Sequence, residues 1–434
     1  MRRTAPVRPV ETQDFASPQS DTPVPEYNPS VWQRLVEWLH KQKGYDPKRL
    51  ADPEPRAAIE ETRRILAKPL GDLAITQDIP GELTATLDQN IFFFSGFKTH
   101  HELVEASRML KGDDGNFKPF QQFLKDVETI NKVYNRNYLQ AEYNFATAST
   151  QMAVKWKEWE QEGDRYDLQY RTAGDSRVRE EHAALDGITL PPSDPFWNSY
   201  LPPNGWNCRC TAVQVRQGKY PRSDSAAAMA AGANCTDTPK KQIFRFNPGK
   251  QEKIFPPKHP YFKAPEDVKE MIGKLVGDVQ RAIVQKDKQA TREAIKQFKK
   301  TMPEHNGVTI QSENFETGKI TVLRRSLNDI FEHSGENEDI RKWIQDFNLE
   351  NLTKIRYKGW APNRPFPESH PKYDPANPTK SKHDNDTYFF LYYTIKIDKR
   401  DYWVNVKMHK DLGEVIYTIE KEKPKDLIRG HKKK

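Results

Sequence analysis

The stretch 170–211, YRTAGDSRVREEHAALDGITLPPSDPFWNSYLPPNGWNCRCT, limits what this chain can fold into more than any other. It holds two of the three cysteines, two of the nine tryptophans, a histidine in a helical pattern and a Pro-Pro-Asn-Gly turn. Asp175 and Ser176 are N-cap candidates for a short helix over 177–185. Gly187 stands where a left-handed C-cap falls, and Val178, His182 and Leu185 share one face of that helix. Five prolines between 188 and 205 exclude regular structure there. An ordered loop pinned by Phe196, Trp197, Tyr200 and Trp206 is expected instead, followed by a strand at 211–216, where residues alternate.

His182, Cys208 and Cys210 offer an imidazole and two thiols, donors that suit zinc. Asp175 precedes His182 by about 10 Å along a helix rising about 1.5 Å per residue. It is a poor direct fourth ligand, and Cys235 or a water is easier. Two readings stand open: a structural zinc, and a satisfied core histidine beside two buried thiols. A third, a zinc-dependent hydrolase centred on His182, lacks a general base beside the metal, because Glu180 and Glu181 lie on other helix faces.

The run R-T-A-x-D-x-R-V-R-x-x-H-A-x-L-D-G, then PFW and PP-x-G-W-N-C-R-C, resembles the phage Mu protein F-like (minor head protein, head morphogenesis) family. The residues that carry the resemblance are Arg171, Thr172, Asp175, Arg177, His182, Leu185, Asp186, Gly187, Trp197, Pro202, Pro203, Gly205, Trp206, Asn207, Cys208 and Cys210. It extends upstream through YLQAEYNFATASTQMAVKWKEW and covers about 90–216. What it implies is a minor capsid protein near the portal, needed for head assembly or DNA packaging. Its partners would be portal and major capsid proteins. Its location would be the phage head and, during assembly, the host cytoplasm.

At 434 residues the chain exceeds one ordinary core. With 35% hydrophobic and 30% charged residues, an extended, helix-rich protein fits better than a compact enzyme. A formal charge of +8 permits contact with nucleic acid without demanding it. Three cysteines, two of them in Cys-x-Cys, argue against a disulfide framework and for a reducing compartment. No apolar run approaches the roughly 18 residues that span a bilayer. The start, MRRTAPVRPVETQDF, lacks the apolar centre of a secretory signal. A soluble protein without membrane contact is expected.

The expected architecture is multidomain α+β. Residues 1–30, rich in Pro, Ser, Thr and acids, read as a disordered arm. Residues 31–165 read as an α-helical domain. Its first helix, 31–41, carries Trp32, Leu35, Val36 and Leu39 on one side; a second, 47–64, is broken by Pro53 and Pro55. Irregular chain follows at 71–90, then a helix at 99–110. The stretch 119–162 reads as one long helix or as two packed helices hinged near Asn144. Residues 166–238 form a small loop-rich domain around the motif. Residues 239–304 are a basic linker, with 16 Lys or Arg against 7 Asp or Glu between 240 and 300. A helix beginning at Pro265 carries an apolar stripe of Val268, Ile272, Leu275, Val276, Val279 and Ile283. Such a helix packs on a partner, lies against packaged DNA, or simply turns its charge to water.

Residues 305–434 read as an α+β domain. It has an extended piece at 319–322, helices at 323–333 and 337–347, a segment at 352–358 and a Pro-rich loop at 361–385. Strands at 387–397, 402–409 and 414–419 form an antiparallel meander. This order resembles the nuclease-like domains fused to phage head proteins, the barnase, EndoU, colicin and RelE-like group. The resemblance implies metal-independent RNA cleavage by a polymorphic toxin delivered with the genome. That chemistry needs a base, an acid and a cation for the phosphorane. The candidates are His333 for proton transfer, Lys354, Arg356 and Lys396 for charge, His409 as a second acid–base group and Thr418 as a phosphate-binding hydroxyl. Each also has an ordinary reading: His333 as a cation at a helix C-terminus, the others as strand-face or strand-end residues. An inactive copy would leave a binding or structural module.

Overall fold

The computed structural model of the chain describes residues 24–77, 79–303, 307–364, 387–397 and 400–430. The protein is mixed α+β, with a helical N-terminal region and a C-terminal sheet, and divides into two compact units after Asp278. Most of the expected N-terminal arm, up to residue 23, lies outside the described residues.

In the first unit, α1 (Pro29–Gln42) starts where the Asn28 side chain accepts the Ser30 amide and proline fills the first turn. Val31, Trp32, Leu35, Val36, Trp38 and Leu39 are buried along its inner face. Helix α2 (Pro53–Leu66) accommodates Pro53 and Pro55 because both stand in its first turn, where no intrahelical amide bond is lost. The stretch 71–90, expected to be irregular, is helical instead: α3 (Lys68–Thr76) and α4 (Gly81–Arg108). Helix α4 buries consecutive residues from Phe94 to His100, so it lacks the amphipathic period by which a surface helix is recognised.

Helices α5 (Phe120–Asn131) and α6 (Leu139–Glu162) are joined by a π-helical segment, Lys132–Tyr138. The irregularity lies there and not at Asn144. Two buried interactions surround it. The Tyr134 carbonyl accepts a 2.8 Å hydrogen bond from the Lys98 ammonium, and Asn135 donates to Glu102 at 2.7 Å. Lys98 also pairs with Glu142 on α6.

Strands β1 (Tyr166–Arg171), β2 (Thr189–Leu190) and β3 (Thr211–Arg216) make an antiparallel sheet in the order β2-β1-β3. Between them lie the short helices α7 (Glu180–Ala183) and α8 (Phe196–Tyr200). The segment 188–205 therefore contains a strand and a helix; Pro195 sits at the N-cap of α8, where it breaks no bond. The helix expected at 177–185 is only one turn, because the Asp175 carboxylate takes the Arg177 amide in a tight turn. Three short helices follow: α9 (Ser225–Cys235), α10 (Pro239–Gln242) and α11 (Pro248–Gln251).

Met152, Trp156 and Trp159 of α6 share one core with Leu168, Tyr170, Trp197, Cys208, Cys210 and Cys235. Distant segments are stitched to it. Asn90 accepts the Ile254 and Phe255 amides at 2.9 Å each, Ser149 donates to the Ile254 carbonyl at 2.7 Å, and Asn247 donates to the Trp197 carbonyl at 3.0 Å.

Helix α12 (Glu266–Thr301) opens with Glu266 and Asp267, favourable at a helix N-terminus. Val268, Ile272, Leu275 and Val276 are buried, but Ile283 is 52% exposed, so the expected stripe stops short.

The second unit contains β4 (Val308–Gln311), β5 (Lys319–Val322), α13 (Ser326–Ser334), α14 (Glu338–Gln345), α15 (Leu349–Leu352), β6 (Arg356–Pro362), β7 (Thr387–Ile397), β8 (Arg400–His409) and β9 (Gly413–Glu420). The sheet runs β4-β5-β9-β8-β7-β6. The meander β7-β8-β9 forms as the three strand signals predict, with antiparallel pairing throughout. The sheet as a whole is not purely antiparallel, since β5 pairs with β9 in parallel. Its inner face, including Leu391, Tyr393, Val404, Val406 and Ile416, packs with Leu327, Ile330, Ile340 and Ile344 of α13 and α14. The Pro-rich loop from residue 365 on and the turn residues 398 and 399 lie outside the described residues.

Candidate functional site

The motif folds into a clamp in which its polar residues bind one another. Gly187 has φ 78°, and its amide donates to the Tyr170 carbonyl at 2.9 Å. The Thr172 amide and hydroxyl both donate to Asp186, at 2.7 and 2.9 Å. These bonds fasten the end of β1 to the turn after α7. The Arg209 guanidinium grips Asp175 with two bonds, of 2.7 and 2.6 Å, and holds its carboxyl well below the usual carboxylate range. Arg179 donates to the Trp206 carbonyl at 2.7 Å, and Tyr170 donates to Asn204 at 3.0 Å. Asn207, at φ 56°, accepts from Asn144 of α6 at 2.9 Å. Trp206 stands edge-on against Phe145, Phe244 and His259.

At the centre, α7 meets the loop before β3. Cys208 Sγ lies 3.5 Å and Cys210 Sγ 3.6 Å from His182 Nδ1. The three donor atoms all fall within 4.8 Å of one another. The residues are only 4%, 7% and 7% exposed. Burial pulls His182 down, but hydrogen bonds to Cys208 and Cys235 outweigh it and raise the imidazole to about 9. The hydrogen bond from Cys210 holds the Cys208 thiol well below its ordinary value, and His182 adds to this against burial. Cys210 is pushed up in turn, first by that same bond.

Asp175 is exposed and engaged by Arg209, and Glu181 is paired with Lys241 at 3.0 Å. Glu180 is exposed. The arrangement is thus a buried group of soft donors, with no carboxylate grouped among them in the described residues.

The C-terminal candidates do not converge on one point. Lys354 and Arg356 are exposed at β6, three strands from β9 and so about 14 Å across a sheet at about 4.8 Å spacing. Lys396 is exposed on β7. His409 closes the β8 end, its Nδ1 accepting the Asp411 amide at 3.2 Å. Thr418 is 2% exposed, and its hydroxyl accepts from Asn405 and donates to Glu420. That hydroxyl is occupied within the sheet. His333 is exposed at the end of α13, where its Nε2 lies 2.7 Å from the Tyr417 hydroxyl of β9. Lys407 Nζ stands 3.5 Å from the Tyr417 ring centroid. Asp329, one turn before His333 on α13, is raised by burial, with Arg325, Lys407 and His333 working the other way. Tyr417, Lys407 and Asp329 carry no spacing that marks them in the sequence; only the pairing of β8 with β9 and the docking of α13 bring them to His333. Arg179, by contrast, sits inside the legible motif.

Residues 115–213 match the family described as Phage Mu protein F like protein. The chain is 39% identical over 69 residues to the putative capsid assembly protein F of Escherichia phage Mu, covering 16% of this chain and 16% of that protein. It is 40% identical over 67 residues to the Mu-like prophage FluMu F protein of Haemophilus influenzae, covering 14% and 16%. The chain therefore spans only about a sixth of the length of these relatives. No solved structure matches it significantly.

Proposed function

We propose that the chain is a phage or prophage head-assembly protein, a minor component of the head that works beside the portal and major capsid proteins. The observation that carries this is the match over 115–213 to capsid assembly relatives. It falls on residues that the fold uses to hold one another: Tyr170, Thr172, Asp175, Arg179, Asn207 and Arg209. The basic stretch 240–300 fits contact with packaged DNA. The test is to disrupt the gene in its own phage, count filled heads by electron microscopy and search gradient-purified heads for the chain by mass spectrometry. Loss of filled heads, with the chain present in wild-type heads, is expected. A normal yield of infectious particles without it overturns the reading.

A second reading concerns the C-terminal unit alone and rests on the His333–Tyr417 pair beside Lys407. In it His333 moves the proton of a ribose hydroxyl, Tyr417 orients the imidazole, and Lys407 supplies positive charge for the phosphorane. The purified full chain is expected to cleave RNA in chelator, and His333→Ala to lose roughly 100-fold or more. Intact RNA with a well-folded chain refutes this and leaves a binding or structural module.

A further inference from the structure

We propose that His182, Cys208 and Cys210 are ligands of one structural zinc ion, bound through His182 Nδ1 and the two sulfurs. The reading is independent of head assembly and stands on geometry. In a tetrahedral site with Zn–S about 2.3 Å and Zn–N about 2.0–2.1 Å, a sulfur and a nitrogen lie about 3.5–3.6 Å apart. The two sulfur–nitrogen separations here are 3.5 and 3.6 Å. Nδ1 has a single in-plane position for a proton or a lone pair, so a hydrogen bond of good geometry accounts for one of these contacts. Two sulfurs at nearly equal distance from the same nitrogen are what three donors around one cation produce.

The donor set is selective as well. Two thiolates and an imidazole suit zinc, whereas magnesium and calcium take oxygen donors. Two carboxylates of the motif are engaged elsewhere, Asp175 by Arg209 and Glu181 by Lys241. Cys235, buried at the end of α9 in the same core, keeps the surroundings sulfur-rich. Three protein ligands leave the fourth tetrahedral position to a water, and burial of all three shields the ion. Binding forms two Zn–S bonds and one Zn–N bond in place of zinc-bound waters, and one water stays as the fourth ligand. The protons displaced from the thiols and the imidazole pass to solvent. The ion would lock α7 to the loop before β3, two segments otherwise joined by the Arg179–Trp206 and Asp175–Arg209 contacts.

The test uses the full chain, purified without chelator from medium supplied with zinc, iron and nickel, and analysed by mass spectrometry for metals. About one zinc per chain is expected. Cobalt substituted for zinc should give a thiolate-to-metal charge-transfer band, weakened in Cys208→Ser and in Cys210→Ser and abolished in the double variant, with circular dichroism reporting the fold. If the double variant does not fold, the wild-type zinc content and the cobalt band decide alone. Less than about a tenth of an equivalent after incubation with zinc, in protein whose three thiols are reduced, overturns the proposal. So does a full charge-transfer band in a folded Cys208→Ser, Cys210→Ser chain.

Discussion

Replacing Lys98 by methionine should cost the first unit about 3–5 kcal/mol, the usual penalty for breaking a buried ion pair from one side. Lys98 and Glu142 are 0% and 2% exposed. The ammonium serves both the Glu142 carboxylate and the Tyr134 carbonyl. Glu102, also buried nearby, is pushed by burial up to about 8 and so is mostly protonated at neutral pH. One cation thus faces one anion. Methionine fills the space but strands Glu142, which must then stay charged in an apolar setting or take up a proton. At about 2–4 °C per kcal/mol for a unit of this size, the midpoint should fall by roughly 10 °C. Urea unfolding read by tryptophan emission follows it well, since Trp32, Trp38, Trp156, Trp159, Trp197 and Trp206 all lie in this unit.

Two controls separate the electrostatic reading from simple packing loss. The pair Lys98→Met, Glu142→Leu should recover most of the stability, because a buried ion pair replaced by apolar groups is often neutral. It should leave about 1 kcal/mol for the lost Tyr134 hydrogen bond. The single variant should also lose less at acid pH, where Glu142 takes up its proton. A single variant within about 1 kcal/mol of the parent, or a double variant no better than the single, would refute the reasoning.

Glu102 predicts a pH slope. Its folded value of about 8 lies above the unfolded 4.5, so the native state holds the extra proton and stability falls as pH rises through that window. Glu102→Gln should flatten this slope in unfolding titrations. His259 works in the opposite sense: burial lowers it to about 3, so stability is lost as pH falls below 6.5, and His259→Gln should reduce that acid loss. Gly232→Ala should cost about 1–3 kcal/mol by calorimetry, since its new Cβ would stand 2.5 Å from the Tyr200 ring. Asn207→Ala should cost about 1–2 kcal/mol, because alanine resists the left-handed φ of 56°.

What the sequence made legible follows from how each signal arises. Helix α1 shows a clean stripe because one face meets the core and the other meets water. The strands β7, β8 and β9 were legible as runs of β-branched and aromatic residues, which suit a pleated, largely buried surface. The convergence of His182, Cys208 and Cys210 was readable because cysteines are scarce and these lie close along the chain. Helix α4 was legible only from residue 99 on; its earlier turns escaped notice because burial on all sides from Phe94 erases the period, and Gly81 with Pro80 reads as loop. The π-helical segment bonds to Lys98 and Glu102, more than 30 residues away, partners that local sequence does not announce. The grouping of His333, Tyr417 and Lys407 depends on strand pairing, which spacing alone does not reveal.

The stitching of α6 and the motif to Asn90, Phe244, Asn247 and Ile254 bears on how such genes can recombine. The stretch that matches the family, 115–213, stops short of the core it belongs to, which continues to Ala228 and Cys235. A crossover after residue 213 would separate Asn90 from its own loop at 254–255, Asn247 from Trp197 and Phe244 from Trp206, and one before residue 115 would separate Asn90 from that loop. The hybrid would inherit the recognisable motif but lose the partners that seat it. Viable exchanges should therefore place their breakpoints outside 90–262, and inheritance should follow the buried contacts and not the borders of the similarity.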